Sequence, residues 1–358
     1  MLNFTLLGGA FLIAFLVSFF AVYPIKKFAI RFGVVDFPEK RKIHKIITPR
    51  LGGLAIFIGF LVGILFLQPE HEHLREIIFG AIVIVITGAL DDKYTLRPIV
   101  KLAGQIIAAS FLISDGLIIS RITLPFVGMV DLGFISVLVT LLWVVGITNA
   151  INLIDGLDGL ATGITTIALT SMFVMAIIDV RVMAAYLCIV LIGANLGFLY
   201  HNFYPAKIYM GDTGSNFLGY MIAVVSMLGL FKNIALFSFI IPVIILAVPI
   251  FDTFFAIVRR LHNKESIMMA DNKHIHYQIL AAGYSHRKTV LILYGFSALF
   301  GILAILFSKA SMMTTLIITV LVLILLHIIA EMGGLVLGGK KPVLNFLGKI
   351  FKRKNKGS

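Results

Sequence analysis

An all-α polytopic membrane protein with about eleven transmembrane helices is the fold class this 358-residue sequence predicts, on three observations. The chain is 60% hydrophobic and only 13% charged. Its apolar residues gather in repeated runs of about 17 to 25, the length that crosses a bilayer core. Its basic residues fall almost entirely into alternate connections between those runs, as they do when one side of a membrane retains positive charge.

The runs can be justified in order. The first, 3–25, has no basic residue before it, and Lys26 and Lys27 follow it. That order is the reverse of a cleaved signal peptide, so the run reads as a retained span. The runs 51–67, 76–90 and 98–114 come next, the second beginning at a Gly-Gly pair, the third closing on Asp91-Asp92 and the fourth opening with Pro98. Runs 133–149, 159–178 and 182–200 are separated by a polar Asn/Asp/Gly stretch and a short Asp-Val-Arg turn. Run 214–231 follows a Gly-Asp-Thr-Gly-Ser string. Run 234–258 is long and contains Pro242 and Pro249, which mark a bent helix and a candidate opening toward the bilayer. Runs 289–308 and 312–332 complete the set. Residues 1–335 then read as a single transmembrane domain, and 336–358 as a basic tail that either lies on an anionic leaflet or is simply solvated.

The formal net charge of +13 does not point to nucleic acid, because the basic residues follow the topology. All but five of the 30 Lys and Arg lie on one side; the exceptions are Arg75, Arg121, Arg181, Lys232 and Lys309. This asymmetry predicts the N-terminus outside and the C-terminus in the cytoplasm. The one cysteine, Cys188, lies within an apolar run, so no internal disulfide forms.

With that orientation, five unusual polar stretches meet at the cytoplasmic face. They are HKIITPRLGG (44–53), ALDDKYTLRP (89–98), NAINLIDGLDGL (149–160), YHNFYPAKIYMGDTGSN (200–216) and the segment 259–288. Asp91 and Asp92 are adjacent carboxylates, which repel unless a cation or proton lies between them; a solvated helix end partnered by Lys93 and Arg97 is the alternative. Asn149, Asn152, Asp155 and Asp158 share one helical stripe if their segment is helical, or serve in part as helix caps. Asp212 stands between two glycines before an apolar run, where backbone N–H groups receive anions and a carboxylate holds a cation. The string is not GxxxxGK[ST], so a P-loop is excluded. Magnesium suits these donors, since it takes one or two carboxylates and completes its shell with water and phosphate. A zinc site built on His274 and His276 would need both rings on one side and a third protein ligand. The basic residues of 259–288, Arg259 among them, suit an anionic substrate or an ordinary positive-inside loop. Asp252 lies two helical turns before Arg259.

Together, HxxxTPRxGG, DD at a helix end, NAxNLxDGLDGL, N-x2-PA-x3-MGDTGS and a late HxH resemble the polyprenyl-phosphate N-acetylhexosamine-1-phosphate transferases. The resemblance runs from about His44 to about Arg287 and is nearest to the bacterial branch that starts wall teichoic acid or O-antigen synthesis. It implies transfer of GlcNAc 1-phosphate from UDP-GlcNAc to undecaprenyl phosphate, giving undecaprenyl-diphosphate-GlcNAc and UMP. It also implies Mg2+, with Mn2+ as a substitute, and residence in the bacterial cytoplasmic membrane. The expected partners are the two substrates, the lipid bilayer and a second copy in a homodimer, with no nucleic acid.

By the same resemblance, Asp91 looks like the residue that deprotonates or orients the lipid phosphate, with Asp92 beside it. Asp212 looks like the principal Mg2+ ligand and Asp155 like a second metal-site or catalytic carboxylate, supported by Asn152. Asp158 and Asn202 match positions that hold the uracil, and Tyr209 matches an aromatic that stacks on it. Lys45 matches a basic residue near the diphosphate, and His274 and His276 match the sugar-recognition stretch. Two departures stand out. Thr95 occupies the lysine position of a DDxxK variant, with Lys101 as a candidate replacement, and Tyr277 ends a motif that often reads HIHH. The competing expectations are the same chemistry on UDP-MurNAc-pentapeptide or another UDP-N-acetyl sugar, and a transporter or flippase, whose site would sit nearer the bilayer midplane.

Overall fold

The computed structural model describes residues 3–36, 47–124, 128–229, 240–262, 264 and 274–332. Helix α1 (Phe4–Arg31) starts at Asn3, whose side chain accepts from the Thr5 and Leu6 N–H groups at 3.1 and 3.2 Å. Strand β1 (Val35–Asp36) pairs antiparallel with β2 (Thr48–Pro49), setting Asp36 opposite Thr48. Then come α2 (Gly53–Leu67) and α3 (Leu74–Tyr94), the latter ended by Thr95 in the left-handed conformation. Pro98 opens α4 (Pro98–Ser114), a position where its missing N–H would have had no helical partner. A hairpin of β3 (Arg121–Leu124) and β4 (Gly128–Asp131) leads to α5 (Ile135–Ile154), α6 (Leu160–Ile178), α7 (Val182–Asn202) and α8 (Gly211–Gly229). The rest are α9 (Ile240–Ile245), α10 (Ala247–His262), α11 (Ile275–Ala281), α12 (His286–Ser308) and α13 (Met312–Met332).

The chain is thus a mostly helical membrane protein. Every expected span falls on a helix where it is described, and the ninth falls on two. The division between α9 and α10 has a direct cause: Pro249 lacks the N–H that the Ile245 carbonyl would accept. Six of the described helices, α1, α5, α6, α7, α12 and α13, are long and apolar enough to cross a membrane. The remainder fall short for local reasons. At 15 residues α2 rises about 22 Å, less than a hydrocarbon core of roughly 30 Å. Helix α3 carries charge at both ends, α8 begins with polar residues, and α10 ends in Arg259, Arg260 and His262.

Helix α8 is the hub. Every residue from Thr213 to Gly229 is buried, as expected for a helix enclosed on all sides. Its main neighbours are α2, α3, α5, α6 and α7. Phe217 meets Phe57 and Phe60 edge-on at 5.3 and 5.5 Å, and the Trp143 indole donates to Ser226 Oγ at 2.9 Å. Ordering so many neighbours around one helix fixes where its N-terminus emerges.

Candidate active site

The start of α8 is pinned to the start of α2 backbone to backbone. Gly52 and Gly53 N–H groups donate to the Tyr209 and Met210 carbonyls, both at 2.9 Å, and Tyr209 N–H donates to the Pro49 carbonyl at 2.8 Å. A side chain on Gly53 would overlap the backbone of Gly214, so the contact requires glycine. This joins the TPRLGG stretch to the MGDTGS stretch. Asp92 then caps α8 from a different helix. Its Oδ1 accepts from Asp212 N–H at 2.8 Å, and its Oδ2 accepts from Thr213 N–H at 3.0 Å and the Thr213 hydroxyl at 2.6 Å. A buried carboxylate at a helix N-terminus satisfies orphan donors and opposes the helix dipole. The structure therefore places Asp92 beneath the first turn of α8, and both of its oxygens are engaged there.

Its neighbour Asp91 points elsewhere. Asp91 Oδ1 accepts from Leu96 N–H at 2.8 Å, and Oδ2 lies 3.2 Å from the Lys101 ammonium. The same ammonium donates to Asp212 Oδ2. Lys101 thus supplies the cation that two converging carboxylates need, and Thr95 supplies none. Asn152 donates to Ser215 Oγ at 2.8 Å, which ties the α5 end to the first turn of α8 close to Asp212. Asn149 is spent on structure: its Nδ2 donates to Gln105 Oε1 and to the Val145 carbonyl, both at 2.8 Å.

Between α5 and α6 the chain turns through Asp155 to Gly159. Burial, and then the negative charges of Asp212 and Asp92, push the Asp155 carboxyl up to about 8, with Arg50 opposing. Asp158 Oδ2 accepts from Ala206 N–H at 2.9 Å. The Asn202 amide is engaged at both ends: its oxygen accepts from Gly159 N–H and the Thr162 hydroxyl, and its nitrogen donates to the Ile208 carbonyl at 3.0 Å.

These groups surround a cavity of about 310 Å³. Of the residues anticipated from sequence, Asp155, Asp158, Asn202, Tyr209 and Asp212 line it. Asp91 and Asn152 lie close to Asp212 without lining it. The late histidines stand one layer back. His274 Nδ1 bonds Asp252 Oδ2 at 2.8 Å, and Asp252 Oδ1 accepts from Ile275 N–H at 2.9 Å, so α10 holds the start of α11. His276 is fully buried against Gly156, neither ring nitrogen has a hydrogen-bond partner among the described residues, and burial brings its pKa down to about 4. From the HIHY string it is Tyr277 that faces the cavity. Arg259, in the last turn of α10, is not among the lining residues, and Lys45 lies outside the described residues.

Several lining residues were not singled out by sequence: Asp36, Arg50, Tyr204 and His286. Arg50 pairs with Asp36 at 3.7 Å across the β1–β2 ribbon, and the His286 ring stacks on Tyr204 with centroids 4.4 Å apart. Arg50 was visible within TPRLGG, but its direction depends on a strand pairing too short to read from two residues. The Tyr209 phenol, with its pKa raised by burial and by Asp158 to about 12, stays neutral.

Among the described residues, no three His, Cys, Asp or Glu side chains form a ready set of metal ligands. Asp155 and Asp212 both face the cavity as hard oxygen donors. Two carboxylates and room for water and phosphate fit the needs of Mg2+.

Residues 74–230 match the family described as glycosyl transferase family 4. Over 347 residues, 95% of this chain and 97% of the relative, the sequence is 47% identical to a probable undecaprenyl-phosphate N-acetylglucosaminyl 1-phosphate transferase of Bacillus subtilis (strain 168). It is 38% identical to a decaprenyl-phosphate N-acetylglucosaminephosphotransferase of Mycobacterium tuberculosis, over 79% of this chain and 78% of the relative. An undecaprenyl-phosphate alpha-N-acetylglucosaminyl 1-phosphate transferase of Yersinia pestis is 27% identical over 82% of each chain.

Proposed function

The chain belongs to glycosyl transferase family 4, and from that premise we propose that it transfers GlcNAc 1-phosphate from UDP-GlcNAc to undecaprenyl phosphate, releasing UMP. The observation that carries this reading is a single cavity at the N-terminus of α8 where Asp155, Asp158, Tyr209 and Asp212 meet, with Lys101 and Asp91 behind. An oxygen of the lipid phosphate attacks the β-phosphorus of the nucleotide sugar. The bond from that phosphorus to the bridging oxygen breaks, and UMP leaves with the bridging oxygen and its electron pair. Asp91 takes the proton of the lipid phosphate or orients its attack, and Lys101 holds Asp91 and Asp212 in place. Positioning and neutralisation of charge supply most of such catalysis.

Asp212 and Asp155 would hold Mg2+, or Mn2+ in its place, which when bound neutralises the diphosphate. Asp158 and Tyr209 recognise the uridine, and Asn202 acts on it indirectly by fixing the Gly159 and Ile208 backbone. Tyr277, with His274 and His276 beside it, borders the sugar, Arg259 assists the anionic substrate, and Lys45 serves the diphosphate. In this reading the chain crosses the bacterial cytoplasmic membrane eleven times, N-terminus outside, with the cavity open to the cytoplasm. The product founds a cell-surface polymer such as the teichoic acid linkage unit.

The test is release of UMP by purified protein given UDP-GlcNAc, undecaprenyl phosphate and Mg2+, with no release when lipid phosphate is omitted or a chelator added. Preference for UDP-MurNAc-pentapeptide would refute the donor. Movement of labelled substrate into proteoliposomes without UMP would make the protein a transporter.

A further inference from the structure

On the strength of that reading, we infer that Arg50 grips the diphosphate of the nucleotide sugar and that buried Asp36 is its positioning residue. Four carboxylates face the cavity, those of Asp36, Asp155, Asp158 and Asp212, and among the described residues Arg50 is the only Lys or Arg that lines it. A diphosphate entering that field needs positive charge supplied by the protein as well as by any ion. Lys101 is committed to Asp91 and Asp212 and does not line the cavity.

The backbone around Arg50 is built to hold it. Its N–H donates to the Val34 carbonyl at 3.1 Å, and the carbonyl of the preceding Pro49 accepts from Tyr209 N–H at 2.8 Å. The β1–β2 pairing sets Asp36 opposite Thr48, two residues before Arg50. Asp36 is 9% exposed, and its Oδ1 lies 3.7 Å from Arg50 Nη2. The Arg50 side chain as a whole is 38% exposed. It lines the same cavity as Asp155, at the proposed reacting end, and Tyr209, at the proposed aromatic end, and its charge acts on both. That is the span a diphosphate crosses between sugar and nucleoside. A planar fork of five donors suits two phosphate oxygens while one nitrogen stays against Asp36.

Binding of three probes to detergent-purified wild type, Arg50→Ala, Arg50→Lys and Asp36→Asn tests this: UDP, uridine and undecaprenyl phosphate, each alone. Arg50→Ala should weaken UDP about 10- to 100-fold, the scale of hydrogen bonds to a charged group, and leave uridine and the lipid phosphate unchanged. Arg50→Lys should recover part of the UDP affinity. It carries the test if the alanine variant does not fold, since a point charge in place of the fork should still lower UDP alone. Asp36→Asn should raise KM for UDP-GlcNAc with kcat little changed, a split that general loosening would not give. UDP binding at the wild-type level in both Arg50 variants overturns the inference. So does equal loss of uridine and UDP, which marks a structural role, and so does loss of the lipid phosphate, which assigns Arg50 to the other substrate. Wild-type protein that fails to bind UDP would overturn the proposed function itself.

Discussion

Replacing Asp92 separates a structural carboxylate from a chemical one. Asp92 makes three hydrogen bonds, at 2.8, 3.0 and 2.6 Å, all to the first turn of α8. In Asp92→Asn one oxygen becomes an NH2 group, so at least one α8 N–H faces a donor, and the charge opposing the helix dipole disappears. A hydrogen bond to a charged group contributes about 1.5–3 kcal/mol and a partly buried charge at a helix end up to about 2 kcal/mol. Relief of the buried charge offsets part of that, leaving a loss of about 2–3 kcal/mol. Asp92→Ala strands all three donors and should lose about 3–5 kcal/mol, as for a buried charge partner removed. Cys188 is the one cysteine and is fully buried, so a thiol-reactive fluorophore reports unfolding in detergent as the temperature rises. Both variants should unfold well below wild type, the alanine variant lowest. Asp91→Asn is the control: its oxygen can still accept from Leu96 N–H, so it should lose UMP release with a smaller change in unfolding temperature. Asp92→Asn unfolding with wild type while UMP release collapses would refute the cap and give Asp92 a chemical role.

Three further outcomes follow from the site. Asp212→Asn should lower UMP release by about 100-fold or more, the scale of removing one stabilising group at a phosphoryl centre, while the thiol-exposure temperature stays near wild type. Gly156→Ala would drive a methyl into His276 Nε2, so α11 should dock less firmly; overpacking of about 1–3 kcal/mol should appear as faster proteolysis within α11. His276 should give a pH signature. Its folded pKa, about 4, lies below the ordinary 6.5, so the unfolded chain binds the proton first as pH falls. Its contribution is present above pH 6.5 and drains away between 6.5 and about 4. The unfolding temperature should decline through that window more steeply in wild type than in His276→Phe.

What the sequence made legible here was whatever depends on neighbours along the chain. Apolar run length located the helices, and the Asn/Asp/Gly strings located the polar ends that meet at α8. The break at Leu246 was foreshadowed by Pro249 but not its division into two helices, because a proline either bends or breaks a helix according to its packing. Asp91 and Asp92 were indistinguishable as neighbours; consecutive helical residues point about 100° apart, and one turned to Lys101 while the other turned under α8. Asn149 stood on the same stripe as Asn152 and Asp155, and its amide goes to Gln105; Asn202, expected at the site, lines the cavity while its amide bonds the Gly159 and Ile208 backbone, which no local pattern could show. Arg50 and His286 were passed over because their place in the cavity is set by contacts from Asp36 and Tyr204, more than ten residues and more than eighty residues away respectively.

The enclosure of α8 also bears on how the molecule is put together. Its principal neighbours, α2, α3, α5, α6 and α7, all precede it in the chain. During synthesis a socket can therefore assemble before its occupant leaves the ribosome. Thr213, Asn216 and Ser226 would be costly against lipid tails, but they pass into a surround that already offers Asp92, Gln105 and Trp143 as partners. Exchanging the order of these segments by circular permutation would remove that advantage, and assembly rather than final stability would suffer.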